Sequence, residues 1–194
     1  MSNHPVELEL EHPKRTARIH VVTRLVLLAA FGALGWSGIY WFIYLAIPAL
    51  VAMAVLNKGG QRYLSEDGPR IVKVLRWFAS AYAYLWLLTD ALPTAGGGPV
   101  DLRIQVEGRP TAGSALLRLL FTLPALVLLA VLSLIAGVVW IIGAVAILIR
   151  ERLPGFVADF LALTLRLQFQ LVAYHLSLVE AYPSLRVERL AHAT

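Results

Sequence analysis

Between Arg24 and Lys58 the chain runs for 33 residues without an Asp, Glu, Lys or Arg, and between Arg118 and Arg150 it runs for 31. Each run is longer than the ~18 to 20 apolar residues that suffice for a helix to cross a bilayer. The competing arrangement is a soluble bundle that buries both runs as core helices. Composition decides against it, because 59% of the 194 residues are hydrophobic, outside the usual soluble range. The sequence therefore reads as an integral membrane protein.

The two runs belong to a pattern that occurs twice. Arg76 leads into Ala83-Tyr84, Asp90 and Pro93, and about ninety residues later Arg166 leads into Ala173-Tyr174, Glu180 and Pro183. The alternation Pro5-Val6-Glu7-Leu8-Glu9-Leu10-Glu11 likewise returns as Pro99-Val100-Asp101-Leu102-Arg103-Ile104-Gln105-Val106-Glu107, the period of a half-buried strand. The expected architecture is mainly α: a tandem repeat of strand, transmembrane helical hairpin and amphipathic helix. Repeat 1 covers 1–94, with a strand at 5–11, a hairpin at 19–57 and an amphipathic helix at 69–92. Repeat 2 covers 95–194, with a strand at 99–107, a hairpin at 115–150, an amphipathic helix at 157–182 and a short tail. Two such strands are marginal alone, so they are expected to pair outside the bilayer; an extended tail and linker is the plainer alternative.

Length is the argument for hairpins. A straight helix of about 32 residues would measure ~48 Å, against a hydrocarbon core of ~30 Å. Helices over Ile19–Leu34 and Ile39–Leu56 would turn at Gly35-Trp36-Ser37-Gly38, and helices over Ala115–Leu132 and Ala136–Ile149 would turn near Ser133. Arg24 and Arg118 would snorkel from the first helix of each hairpin to the interface. Ala33 with Ser37, and Ser133 with Gly137, have the small-xxx-small spacing that lets helices approach closely. With hairpins, all 17 Lys and Arg fall on one side of the membrane. If the long runs were single tilted helices and the amphipathic stretches spanned, 8 of the 17 would move across and the positive-inside bias would vanish. The expectation is four crossings in the inner (cytoplasmic) membrane, both termini cytoplasmic, with the amphipathic helices along the interface.

The remaining features exclude more than they assign. Met1 to Arg24 mixes acids and bases without a cleavage site, so it is no signal peptide. With zero cysteines there is no disulfide and no thiolate chemistry, and a net charge of +5 is scattered at helix ends, which argues against nucleic acid. Neither His4, His12, His20, His175 and His192 nor the acids show metal or haem spacing, and no cofactor is expected. His175 replaces the Leu85 of the first copy, so it is outside the repeated design. Ala95-Gly96-Gly97-Gly98-Pro99 lacks the Lys-Ser/Thr of a phosphate loop and reads as a linker. No Gly-x-Ser-x-Gly marks a nucleophile. The tryptophans Trp36, Trp41, Trp77, Trp86 and Trp140 are ordinary interfacial anchors, with a pigment or quinone pocket among them as the alternative.

The residues Ala83-Tyr84-Leu85-Trp86-Leu87-Leu88-Thr89-Asp90 ending at Pro93, the segment Pro154-Gly155-Phe156 … Asp159-Phe160, and the alternating strand resemble a bacterial membrane-protein family, domain of unknown function four-three-eight-nine. The resemblance extends over both copies, about 5 to 185. The second copy departs from it in having Val179-Glu180 for Thr-Asp and Ala125 after Pro124. It implies no activity and no catalytic residue.

Function is approached through charge beside the membrane. Arg76 with Asp90, and Arg166 with Glu180, lie fourteen residues apart on one helix, ~21 Å, too far to pair within it. They are expected to pair between copies, Arg76 with Glu180 and Arg166 with Asp90, or to mark the wetted ends of interfacial helices. The stripe Arg76, Tyr84, Asp90 and its counterpart Arg166, Tyr174, Glu180 are the candidate contacts for a partner or a lipid headgroup. The sequence points to a non-catalytic accessory or scaffolding subunit whose partners are the bilayer and another membrane protein or a second copy. The alternative is a small transporter or lipid-binding protein with a site between the repeats.

Overall fold

The computed structural model describes residues 4–10, 16–36, 39–93 and 100–184. The chain is mainly helical. β1 (Val6–Leu10) precedes α1 (Arg18–Trp36) and α2 (Ile39–Lys58). A single turn, α3 (Gly60–Arg62), continues through a π-helical turn at Tyr63–Asp67 into α4 (Gly68–Leu85). The second half holds β2 (Val100–Ile104), α5 (Ala112–Arg150) and α6 (Gly155–His175).

The strands pair antiparallel as their alternation implies, with Leu8 opposite Leu102, Val6 opposite Ile104 and Leu10 opposite Val100. Val6, Leu8, Val100 and Leu102 turn inward and are buried, while Arg103 reaches Glu9 at 3.5 Å and Asp101 at 2.9 Å on the outer side. β1 lies against α6 and β2 against α4, so each strand is held by the helix of the other half. The main core forms there, from the inward strand residues with Ala79 and Ala83 of α4 and Leu161, Leu165, Phe169 and Ala173 of α6.

The long runs fold differently from the expected hairpins. In the second half α5 is one helix of 39 residues, about 58 Å at 1.5 Å per residue, with no turn at Ser133. A lone Ser or Gly costs a helix no more than about 1 kcal/mol, so Ser133 and Gly137 are too weak to break it. A capping box starts the helix: Thr111 Oγ1 accepts from the Ser114 amide at 3.1 Å, and Ser114 Oγ accepts from the Thr111 amide at 2.9 Å. It stops where Glu151 takes a left-handed conformation, φ 55°. In the first half the chain does divide into α1 and α2, but the two touch little, and α2 packs mainly on α5. Of the turn expected at 35–38, Ser37 and Gly38 lie outside the described residues, as do His12, His192, the linker glycines and the Ala33–Ser37 contact.

Two described helices, α5 and α6, are long and apolar enough to cross a membrane. Phe42–Lys58 and Gly60–Leu85 reach that standard only as a pair, bent by 115° at their junction. By length and composition the described residues thus offer two candidate spans, or three if the bent pair is one span, and do not bear out the expected four. α6, expected along the interface, is one of the two, and it packs closely on α5. Gly143 permits this approach, since a Cβ there would meet Val157 Cγ1 at 2.9 Å and Leu153 Cδ1 at 3.0 Å. Gly137, expected at a close helix contact, has nothing within 4 Å of its Cβ position.

Candidate functional site: two arginines closed over helix ends

α4 and α6 end alike. In α4 the Leu88 amide bonds the Ala83 carbonyl at 2.9 Å and Leu87 has φ 66°; in α6 the Leu178 amide bonds the Ala173 carbonyl at 3.0 Å and Ser177 has φ 56°. Both are Schellman-type ends, which turn the chain sharply and leave late carbonyls in need of donors. An arginine from a neighbouring helix supplies them in each case.

At the first end, Arg24 of α1 donates from Nε to the Tyr84 carbonyl at 2.6 Å, and from Nη2 to the Thr89 carbonyl at 2.6 Å and Asp90 Oδ1 at 2.8 Å. Its guanidinium carbon stands 4.6 Å from the centre of the Tyr84 ring. The other Asp90 oxygen accepts from the Ala17 amide at 2.9 Å, and the Tyr84 hydroxyl meets His20 Nδ1 at 3.0 Å. At the second end, Arg118 of α5 donates from Nη1 to the Tyr174 carbonyl at 2.8 Å and the Val179 carbonyl at 2.6 Å, with its guanidinium carbon 4.5 Å from the centre of the Tyr174 ring. Glu180 Oε1 accepts from the Arg109 amide at 3.1 Å. Arg24 is 0% and Arg118 8% exposed.

Neither arginine snorkels. A guanidinium carries five donors in a planar fork, so it can satisfy several carbonyls and stack on a ring at once. Buried in this way it is a clamp on its helix end, closed to solvent and to any ligand from outside.

The six candidate contacts are placed as follows. Tyr84 and Tyr174 are buried as the floors of the two arginine sites, away from any outward stripe. Asp90 is half-buried and pairs with Arg24, not with Arg166. Glu180 is exposed and holds the Arg109 amide, not Arg76. Arg76 donates to the Leu102 carbonyl of β2 at 2.9 Å, and Arg166 to the Leu8 carbonyl of β1 at 3.5 Å, so both fasten the strand pair. Arg24 and Arg118 are the residues that sequence reasoning missed. Their signal was present, since an arginine precedes each apolar run at the same place in both halves, but its partners lie 60 and 56 residues away.

Further polar contacts tie the helices together. His175 stacks on Tyr44 with ring centres 4.4 Å apart, and its Nε2 lies 2.9 Å from the Tyr44 carbonyl. The Tyr44 hydroxyl meets Thr122 Oγ1 at 2.6 Å, and Trp140 Nε1 donates to the Leu85 carbonyl at 2.8 Å. In the polar turn before α4, the Tyr63 hydroxyl donates to the Leu176 carbonyl at 2.7 Å. Burial, with Asp67 nearby, pushes the Tyr63 phenol up from its ordinary 10.0 to about 12. Among the described residues no group of three His, Asp or Glu is placed to hold a metal ion.

Residues 113–185 match the model of a family described as Domain of unknown function (DUF4389). The match covers one copy, in the second half of the chain. No curated protein and no solved structure matches the chain.

Proposed function

With residues 113–185 as one domain of that family, we propose that the chain is two copies in tandem, closed into one pseudo-twofold unit. The strand register supports the duplication. A shift of 94 residues carries Val6 onto Val100 and Leu10 onto Ile104, and the pairing maps onto itself with Leu8 and Leu102 at its centre. The bonds from Arg24 and Arg118 to the two helix ends, and from Arg76 and Arg166 to the opposite strands, correspond under the same exchange.

The unit is a non-catalytic accessory or scaffolding subunit of a larger assembly in a bacterial inner membrane, with both termini cytoplasmic. One observation carries this reading: the buried guanidinium groups bond within the chain, to helix-end carbonyls and, for Arg24, to Asp90, while the outer faces are apolar. Phe42, Leu50 and Leu56 of α2 and Leu120, Val127 and Leu134 of α5 are all exposed. An apolar face of this kind is covered by lipid or by the helices of another membrane protein. Extraction of the tagged protein from native membranes into lipid nanodiscs tests the assembly. A stoichiometric membrane-protein partner is the expected result, and a stable monomer that brings down nothing overturns the proposal.

A further inference from the structure

α4 carries Arg70, Lys73 and Arg76, and no acidic residue lies between Gly68 and Leu85. At 3.6 residues per turn, its buried residues Val72, Leu75, Ala79 and Ala83 share one arc, and the opposite arc is exposed. Around the exposed arc the order is Arg76, Lys73, Trp77, Arg70, Val74, Phe78, so cations gather on one flank and apolar groups on the other. Val74, Trp77 and Phe78 are 53%, 46% and 43% exposed. Arg70 and Lys73 form no ion pair among the described residues, and the nearest acids in sequence, Glu66 and Asp67, are held by Lys58. α6 has no such face: its acidic and basic side chains are Asp159, Arg166 and His175, and most of its length is covered.

Orientation agrees with charge. α2 is uncharged before Lys58 and exposes Phe42, Ile43, Leu45 and Met53, the surface of a helix standing in lipid. The 115° bend then turns α4 to 25° past perpendicular, so α4 runs close to the membrane plane when α2 stands upright. α4 starts just beyond Lys58 and Arg62, where the apolar surface gives way to charge. A helix in the interface with a cationic flank and an aromatic flank fits an anionic leaflet, phosphates against the cations and rings at the acyl boundary.

We propose that the outer face of α4 is a docking surface for anionic phospholipid headgroups, with Arg70 and Lys73 as the phosphate contacts and Val74, Trp77 and Phe78 entering the acyl boundary. The proposal rests on residence in a membrane and not on the accessory role. The latter is read from what co-purifies, the former from the isolated protein, so either can fail alone.

The chain has no cysteine, so a single Val74→Cys can carry a fluorophore without background labelling. The full protein is placed in nanodiscs of mixed phosphatidylcholine and phosphatidylglycerol containing a small, equal fraction of a spin-labelled form of one lipid or the other. Quenching at position 74 is expected to be several-fold stronger from the phosphatidylglycerol quencher. Replacing Arg70 and Lys73 with Gln should bring the two quenchers level, as each surface cation contributes roughly fivefold to such a preference. A label on Glu9→Cys, in the strand pair, should be quenched by neither. Equal quenching by the two lipids in the parent protein overturns the anionic preference. Quenching by neither overturns lipid docking, and points to water or a protein against this face. Both substituted residues are exposed, and an unchanged thermal transition shows that the variant is folded.

Discussion

Arg118 donates to two buried carbonyls, of which that of Tyr174 also accepts from the Ser177 amide at 3.0 Å. Replacing it with Ala leaves the Val179 carbonyl without this donor, takes one of two donors from the Tyr174 carbonyl, and exposes the Tyr174 ring to a void. Losing charge-assisted hydrogen bonds to buried carbonyls costs about 1 to 3 kcal/mol. Each kcal/mol moves the melting point of a chain this long by about 2 to 4 °C, so Arg118→Ala and Arg24→Ala should both melt several degrees below the parent in detergent. Glu180→Gln, at an exposed bond, should fall within about 1 kcal/mol. Similar melting of all three would remove the arginines from their role as clamps. Tyr63 adds a prediction in pH. Its phenol ionises at about 12 in the fold against 10.0 ordinarily, so the fold favours the neutral form. That stability is fully present below pH 10 and is lost as pH rises through 12. Tyr63→Phe should flatten the decline between these limits, followed by thermal unfolding; an undiminished decline would place its cause elsewhere. The Arg, Tyr and acid at corresponding positions were legible in the sequence. Their roles were not, because a basic residue flanking an apolar run looks the same whether its head reaches water or a carbonyl sixty residues away.

Among the elements, the strands were legible and helix continuity was not. Alternation sets the strands because its period matches the pleat, and both strands form where the alternation lies. The length of the apolar runs, by contrast, argues for a turn that α5 does not make. Bilayer thickness limits how much of an upright helix lipid can cover, but it supplies no force that breaks one. Only Ser133 and Gly137 interrupt the apolar middle of α5, and neither is enough to break a helix. Continuity predicts that Ser133→Cys, midway along an exposed apolar face, will resist a water-soluble maleimide in nanodiscs, whereas Gly113→Cys at the first turn will react. Fast labelling at both would restore the hairpin. Close packing makes a second test of α5. Gly143→Ala must push against Val157, Leu153 and Leu87, the last 3.1 Å from the new Cβ, and should cost about 1 to 3 kcal/mol. Gly137→Ala meets nothing and should be neutral or stabilising by up to about 1 kcal/mol, the helix preference of Ala over Gly. Thermal melts of the two variants side by side decide this, and equal losses would refute the asymmetry of the α5 surface.

At the scale of the whole molecule, the pairing that joins the halves is also the one most open to exchange. β1 is followed in sequence by α1 but is held by α6, and β2 is held by α4, so each half lends its strand to the other. The same bonds could form between two chains if the strands crossed over, since identical contacts close either way. The register says what distinguishes the cases. Glu9 stands directly opposite Asp101 on the outer side, and opposite residues of an antiparallel pair have Cα atoms about 4.5 to 5.5 Å apart, within disulfide range. In a chain with no other cysteine, Glu9→Cys with Asp101→Cys should oxidise within one chain, giving a monomer of altered mobility on a denaturing gel at any protein concentration. A covalent dimer whose yield grows with concentration would mean that the strands pair between chains, and that the assembly begins with a second copy of this protein. The linkage also bears on stability. Closing a loop of ~90 residues lowers the entropy of the unfolded chain by an amount worth about 4 to 5 kcal/mol in the chain-entropy account. The oxidised protein should therefore melt above the reduced one, and a lower melt would show that the strands are not in register at Glu9 and Asp101.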